Sequence, residues 1–251
     1  RVLIYIHKSI PISRIFIAKI FQLNPKILLL DEIVNSTTRG LVGDSELVIL
    51  PNITPLITFL LTLFYQIMAL VPLFLQPTYY RFLGSLTLCG FASFLFGWHV
   101  HEKAILLVIF PATFIVHRDI RLLTPFALLV SCGHVSLFPL LFTSGEWSIK
   151  IIYTLLWYII YYYNFRKIIR IPKMNKYGYI LQRLSNFYIL GIMPVMIVVT
   201  FIDLFEHKYE LLQKMAFLKL MIISVYCAMG VISSWNVISW LYFLDDSIWT
   251  D

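Results

Sequence analysis

Long unbroken apolar runs separated by short polar stretches set the pattern of this chain. They fall at about residues 53–75, 82–98, 104–117, 120–143, 148–165, 184–204 and 217–243. A helix crosses the ~30 Å hydrocarbon core of a bilayer with ~20 mostly apolar residues. The runs therefore predict an all-α fold, a polytopic transmembrane helical bundle. A membrane β-barrel also satisfies every backbone polar group in lipid, but it shows alternating segments of ~10 residues, and the runs here are continuous. The third run is short and holds Pro111, and the fourth holds Pro125, Gly133, His134 and Pro139. Both are expected to be broken helices that line something, because backbone groups freed at membrane depth need protein or a wet cavity to satisfy them.

Basic residues next to the runs predict their direction. The linker after the fifth run carries Arg166, Lys167, Arg170, Lys173, Lys176 and Arg183 with no acidic residue among them, which places it in the cytosol. Counting alternate crossings puts Arg81, Arg118, Arg121 and the stretch with Asp245, Asp246 and Asp251 on the same side. The loop Gly97 to Lys103 falls on the opposite side, with loop 205–216 and the stretch before Pro51. Tyr158 to Phe165, with Tyr161, Tyr162 and Tyr163 in succession, reads as an interfacial aromatic anchor.

Two regions follow: a poorly defined lumenal or interfacial segment, 1–52, and a multi-span membrane domain, 53–251. Within the first, Ile10 to Leu30 is apolar with Arg14, Lys19 and Lys26 interspersed, a pattern compatible with an interfacial amphipathic helix. A poorly translated N-terminal piece is the other reading. The chain opens on Arg1, without an initiator Met or a tripartite signal peptide, and is expected to be a fragment.

Composition reinforces the membrane reading. Hydrophobic residues make up 60% of the 251 and charged ones 13%, with a mean hydropathy of +0.83. A soluble domain is nearer ~45–50% apolar and ~25% charged. The formal charge of +7 suggests loop topology rather than nucleic acid. Cys89, Cys132 and Cys227 lie inside apolar runs with no metal-ligand spacing, and read as small buried hydrophobes.

The candidate chemistry is concentrated in Gly97-Trp98-His99-Val100-His101-Glu102-Lys103, between two apolar runs. Ionisable groups at such a place are costly and point to function. The plain alternative is a polar loop reaching to the headgroups. Zinc would accept His99, His101 and Glu102 as ligand types, with His134 as a further candidate. Positions i and i+2 do not face each other on a helix, however, and no metal is expected. Anion recognition is the third reading: Lys103 is a compact charge, the histidines donate hydrogen bonds, and a helix beginning there would point its first amides at a negative ligand.

The run Ser93 to Leu107, SFLFGWHVHEKAILL, with the upstream Leu50-Pro-Asn-Ile-Thr-Pro55 and the downstream Gly133-His-Val-Ser-Leu-Phe-Pro-Leu-Leu-Phe-Thr143, resembles the endoplasmic-reticulum glucosyltransferases that extend the dolichol-linked oligosaccharide. Ser224 to Gly230, SVYCAMG, is similar as well, and the likeness covers roughly 37–240. The VHEK core is shared across that family, whereas the preceding Gly-Trp-His is more similar to the enzyme of the second glucosylation step than to that of the first.

The resemblance implies the C-terminal part of a glycosyltransferase-C fold in the endoplasmic-reticulum membrane. It implies two substrates, dolichyl phosphate glucose and the dolichyl-diphosphate oligosaccharide Glc1Man9GlcNAc2, joined in α-1,3 linkage with inversion, and no cofactor. It implies that His101 and Glu102 act in catalysis and that Trp98, His99, Lys103, His134 and Arg39 bind substrate, around the donor phosphate. The family's acidic general base comes from a lumenal loop after the first span; Asp31, Glu32, Asp44 and Glu46 do not match it, so the base is expected outside this chain. The first-step glucosyltransferase, acting on Man9GlcNAc2, remains an alternative. So does a membrane transporter, which would show a pseudo-symmetric second half with its own interrupted spans.

Overall fold

The computed structural model describes residues 54–98, 100–140, 147–160, 163, 176–205 and 218–250. Among these residues the regular structure is helical throughout. The helices are α1 (Pro55–Leu75), α2 (Tyr79–Phe96), α3 (Leu106–Ile115), α4 (Ile120–Val135), α5 (Trp147–Ile160), α6 (Lys176–Phe205) and α7 (Leu218–Leu244). A tight 3-10 turn, Glu102–Ile105, leads directly into α3. Each apolar run thus holds one helix.

Among the described residues three helices are long and apolar enough to cross a membrane: Pro55–Leu75, Leu218–Leu244, and Ile180–Ile202 within α6. Large apolar side chains that face outward, among them Phe59, Phe64, Phe74, Leu107, Phe187 and Trp240, would be untenable in water over so wide a surface. Lipid accounts for them.

Local chemistry sets the helix starts. The Thr54 side chain accepts from the Ile57 amide, with Pro55 in the first turn of α1; Thr78 accepts from the Arg81 amide at 3.2 Å, and Asp119 from the Arg121 amide at 2.8 Å. Each oxygen satisfies one of the amides that a helix start leaves without a partner.

The centre of the bundle is α4, buried without interruption from Leu122 to Gly133. It packs on α3, α6 and most extensively on α7. Gly230 of α7 makes that approach possible, since a Cβ there would lie 2.2 Å from Cys132 Sγ. Lower down, Ser234 Oγ donates to the Pro125 carbonyl at 2.7 Å in a buried position. Tyr188 of α6 and Tyr226 of α7 stack at 4.5 Å, and each hydroxyl donates to the other's carbonyl. Trp157 of α5 donates its indole N–H to Ser131 Oγ at 2.7 Å. Small residues and interhelical hydrogen bonds hold helices together where lipid removes the hydrophobic drive.

The third and fourth runs differ from expectation. Helix α3 continues through Pro111 and α4 through Pro125, and the break comes only after Val135, where a short 3-10 turn covers Phe138–Leu140. Proline removes one hydrogen bond, that to the carbonyl four residues earlier. Pro111 frees the Leu107 carbonyl in this way, and that oxygen faces Gly90 of α2, where a Cβ would come within 3.0 Å. The neighbouring helix thus approaches the freed carbonyl closely, and α3 keeps its helical course through the proline.

Candidate functional site

Helices α2 and α3 form a hairpin whose connecting loop is the motif, residues 97–103. The last turn of α2 closes when the Gly97 amide donates to the Ser93 carbonyl at 3.1 Å, and the chain then leaves in extended conformation, φ −63 and ψ 149 at Gly97. Nothing larger than glycine fits there. A Cβ would stand 2.4 Å from the Ser93 oxygen and 2.6 Å from Val100 Cγ2.

Beyond this turn Trp98 is exposed, and His101 caps the Glu102–Ile105 turn, its carbonyl accepting from the Ala104 amide at 3.0 Å. The His101 side chain is 91% exposed, with Nδ1 4.0 Å from Glu102 Oε2. Lys103 is exposed beside them. The loop therefore presents an imidazole, a carboxylate and an ammonium outward from the start of a helix. It does not bury them.

His134 sits in the last turn of α4, at the same end of the bundle as the motif. The preceding Gly133 lies against Ile105 and Ile109, the residues that follow the motif into α3. The His134 ring meets the edges of Tyr153, at 5.4 Å, and Trp157, at 6.5 Å. Its position links the motif hairpin to α5. His99 and Arg39 lie outside the described residues, as do Arg166, Lys167, Arg170 and Lys173 of the basic linker and Asp251, whereas Lys176 and Arg183 belong to α6. Among the described residues no group of three or more His, Cys, Asp or Glu stands close enough together to hold a metal ion.

Sequence reasoning missed the support beneath the motif. Gln66, in the middle of apolar α1, donates its side-chain amide to Ser93 Oγ at 2.9 Å. Beside Gln66, Tyr65 stacks flat on Phe96, about one turn past Ser93, at 4.5 Å, and Trp235 of α7 meets both rings edge-on. A lone glutamine in an apolar span was the available signal, since polar groups within spans are costly unless partnered. The pairing of Phe96 with Tyr65, ten residues past Pro55, also sets the motif back along α1 by about 15 Å from the helix start.

At the other end of the bundle Arg81, Arg118 and Arg121 meet the segment 245–250. Arg81 bonds Asp246 at 2.6 Å, Arg121 pairs with Asp119 and Asp245, and Arg118 donates to the Ile248 and Thr250 carbonyls while lying 4.5 Å over the Tyr80 ring. These residues share one side in the crossing count, and the fold brings them into contact.

Residues 11–238 match the sequence profile of the ALG6, ALG8 glycosyltransferase family. A Debaryomyces hansenii protein named dolichyl pyrophosphate Glc1Man9GlcNAc2 alpha-1,3-glucosyltransferase is 65% identical over 254 residues, covering 100% of this chain and 45% of that protein. Relatives of the same name in Candida albicans and Saccharomyces cerevisiae are 61% and 51% identical, covering 99% and 86% of this chain and 44% and 37% of theirs. The chain thus spans less than half the length of these curated relatives. No solved structure matches it.

Proposed function

The chain belongs to the ALG6, ALG8 glycosyltransferase family, and on that premise we propose that the protein transfers glucose from dolichyl phosphate glucose to Glc1Man9GlcNAc2 diphosphodolichol in α-1,3 linkage. The identity of 65% across the whole chain to a relative bearing the name of that second-step reaction carries the reading. It also favours the second step over the first. The membrane is that of the endoplasmic reticulum, with the motif on the lumenal side.

In one displacement the acceptor hydroxyl oxygen attacks the glucose anomeric carbon while a general base takes the hydroxyl proton, the bond from that carbon to the phosphate oxygen breaks, and the electron pair leaves with dolichyl phosphate. Negative charge grows on the departing phosphate, so fixed donors and cations aimed at it lower the barrier. The exposed Lys103 and His101, at the start of the turn into α3, supply such groups, and Glu102 Oε2 stands 4.0 Å from His101 Nδ1 beside them. Trp98 borders the sugar. His99, Arg39 and His134 complete the proposed set of substrate contacts. The set-back of the motif along α1 suits a phosphate carried by a lipid, which arrives from within the bilayer.

Transfer of labelled glucose from dolichyl phosphate glucose by the full-length protein tests the reading, with Glc1Man9 and Man9 acceptors compared. We expect transfer to the monoglucosylated acceptor and a loss of at least about tenfold in His101→Ala and in Lys103→Ala, as for removal of a donor to a developing anion. Undiminished transfer in both variants would overturn the phosphate site. Preference for Man9 would reassign the step.

A further inference from the structure

Helices α2 and α4 begin at the basic end of the bundle and end at the motif and at His134 respectively. Both starts are electrostatically awkward. A helix N-terminus carries positive partial charge and favours anions. Yet Arg81 and Arg121 stand in the first turns of α2 and α4, and neither turn contains an acidic residue. Asp119, capping α4, offsets part of this for Arg121. The remaining carboxylates come from the far side of the sequence, just past α7.

There Asp245 accepts from the Ser247 amide at 3.1 Å and turns the chain into the short helix Asp246–Ile248, so that it crosses the bundle end. Asp246 reaches Arg81, whose side chain is only 3% exposed, whereas Asp246 itself is 69% exposed. The buried Arg81 guanidinium thus meets a carboxylate held from the solvent side, and it also donates to Gln76 Oε1 at 2.8 Å. Asp245 reaches Arg121, and Thr78 donates to the Trp249 carbonyl. Trp249 is wholly buried: its indole N–H donates to the Leu241 carbonyl at 2.9 Å, and its ring fills the space at Gly84, where a Cβ would be 2.7 Å away. One short segment therefore holds the starts of two helices that α3 separates and packs against.

We propose that residues Asp245 to Thr250 form a latch across the basic end, which fixes α2 relative to α4 and thereby positions the motif against His134 at the opposite end. Helices of this length act as levers of about 25 Å, so a small change in angle at the latch becomes a displacement of several ångströms at the site. Asp245 and Asp246 are positioning residues in this scheme, acting through Arg121 and Arg81. The catalytic meaning of the latch rests on the proposed glucosyl transfer, but its mechanical action does not.

The test uses full-length protein in a cysteine-free background with spin labels at Trp98→Cys and Ser136→Cys, which report the separation of the two helix ends. Asp245→Asn/Asp246→Asn is expected to at least double the width of the distance distribution, and Asp245→Glu/Asp246→Glu to keep it near that of the parent. Two glycines inserted between Leu244 and Asp245, which slacken the latch without removing any group, should broaden it as well. A width unchanged in the Asn variant or in the insertion overturns the latch. So does loss of fold in both, because the segment would then hold the bundle together rather than adjust it. In unlabelled protein the Asn variant should lose about tenfold in transfer, chiefly as a raised KM for the lipid donor. Absence of transfer in the parent would remove the enzymatic reading and leave the distance result to decide the latch.

Discussion

The Gln66 side-chain amide donates to Ser93 Oγ across 2.9 Å, joining the middle of α1 to the turn of α2 whose carbonyl closes on Gly97. Ala69 is the buried residue of α1, its carbonyl accepting from the Tyr242 hydroxyl at 2.9 Å, and the Gln66–Ser93 bond and the Tyr65–Phe96 stack anchor the helix beside it. Gln66→Leu removes the amide but keeps apolar bulk. It should cost about 0.6 kcal/mol in stability and at most about 1.7, the average and the upper limit for interhelical hydrogen bonds in membranes. A thermal melt in detergent reads that loss, and Gln66→Asn, one methylene shorter, should not restore it. Transfer should fall further than the melt implies, because the displaced turn carries the motif.

Gly97→Ala tests the start of the motif directly. The backbone there has an ordinary φ of −63, so the obstacle is contact: the new methyl would meet the Ser93 carbonyl and Val100. The last turn of α2 must open to admit it. We expect a folded protein whose melt shifts little and whose glucosyl transfer drops at least about tenfold, the scale at which small misplacements of reacting groups act. Parent-level transfer would show that the loop geometry tolerates the shift.

At the centre of the bundle, Gly230→Ala drives a methyl into Cys132 Sγ, 2.2 Å from the position it needs. Overpacking of this kind costs about 1–3 kcal/mol. The melting temperature should fall accordingly. Combining the change with Cys132→Ala should recover part of the loss, as expected of two residues in contact. Simple additivity of the two losses would mean that α4 and α7 separate instead of repacking.

The basic end predicts a pH response. Burial acts to raise the Asp119 carboxyl, but hydrogen bonds from the Arg121 side chain and amide, together with its charge, outweigh burial and hold the group below its usual range. Hydrogen bonds from Ser247 and Arg121 do the same for Asp245 against slight desolvation. A carboxyl lowered in the folded state stabilises in full above its unfolded pKa, about 3.9, and stops doing so as the pH falls through the folded value. The melting temperature should therefore hold from neutral pH to about 5 and fall below about 4. Asp119→Asn/Asp245→Asn should start lower at neutral pH and lose less on acidification. An equal acid loss in parent and variant would show that other carboxyls govern it.

Residue order alone determined the helical class, the place of each apolar segment and the outward loop 97–103, because length and continuity of apolar runs are one-dimensional quantities that a bilayer reads directly. The side shared by Arg81, Arg118 and Arg121 was likewise legible from alternate crossings. What only the tertiary structure decided were matters of partner. Pro111 sits within an intact α3 with the freed carbonyl against Gly90; Gln66 is satisfied by a serine 27 positions away; Asp246 answers Arg81 across 165 positions. A proline, a glutamine or an aspartate announces in the sequence that a backbone or polar group needs a partner. Which group meets the need depends on how the helices cross, and that is a property of packing in three dimensions.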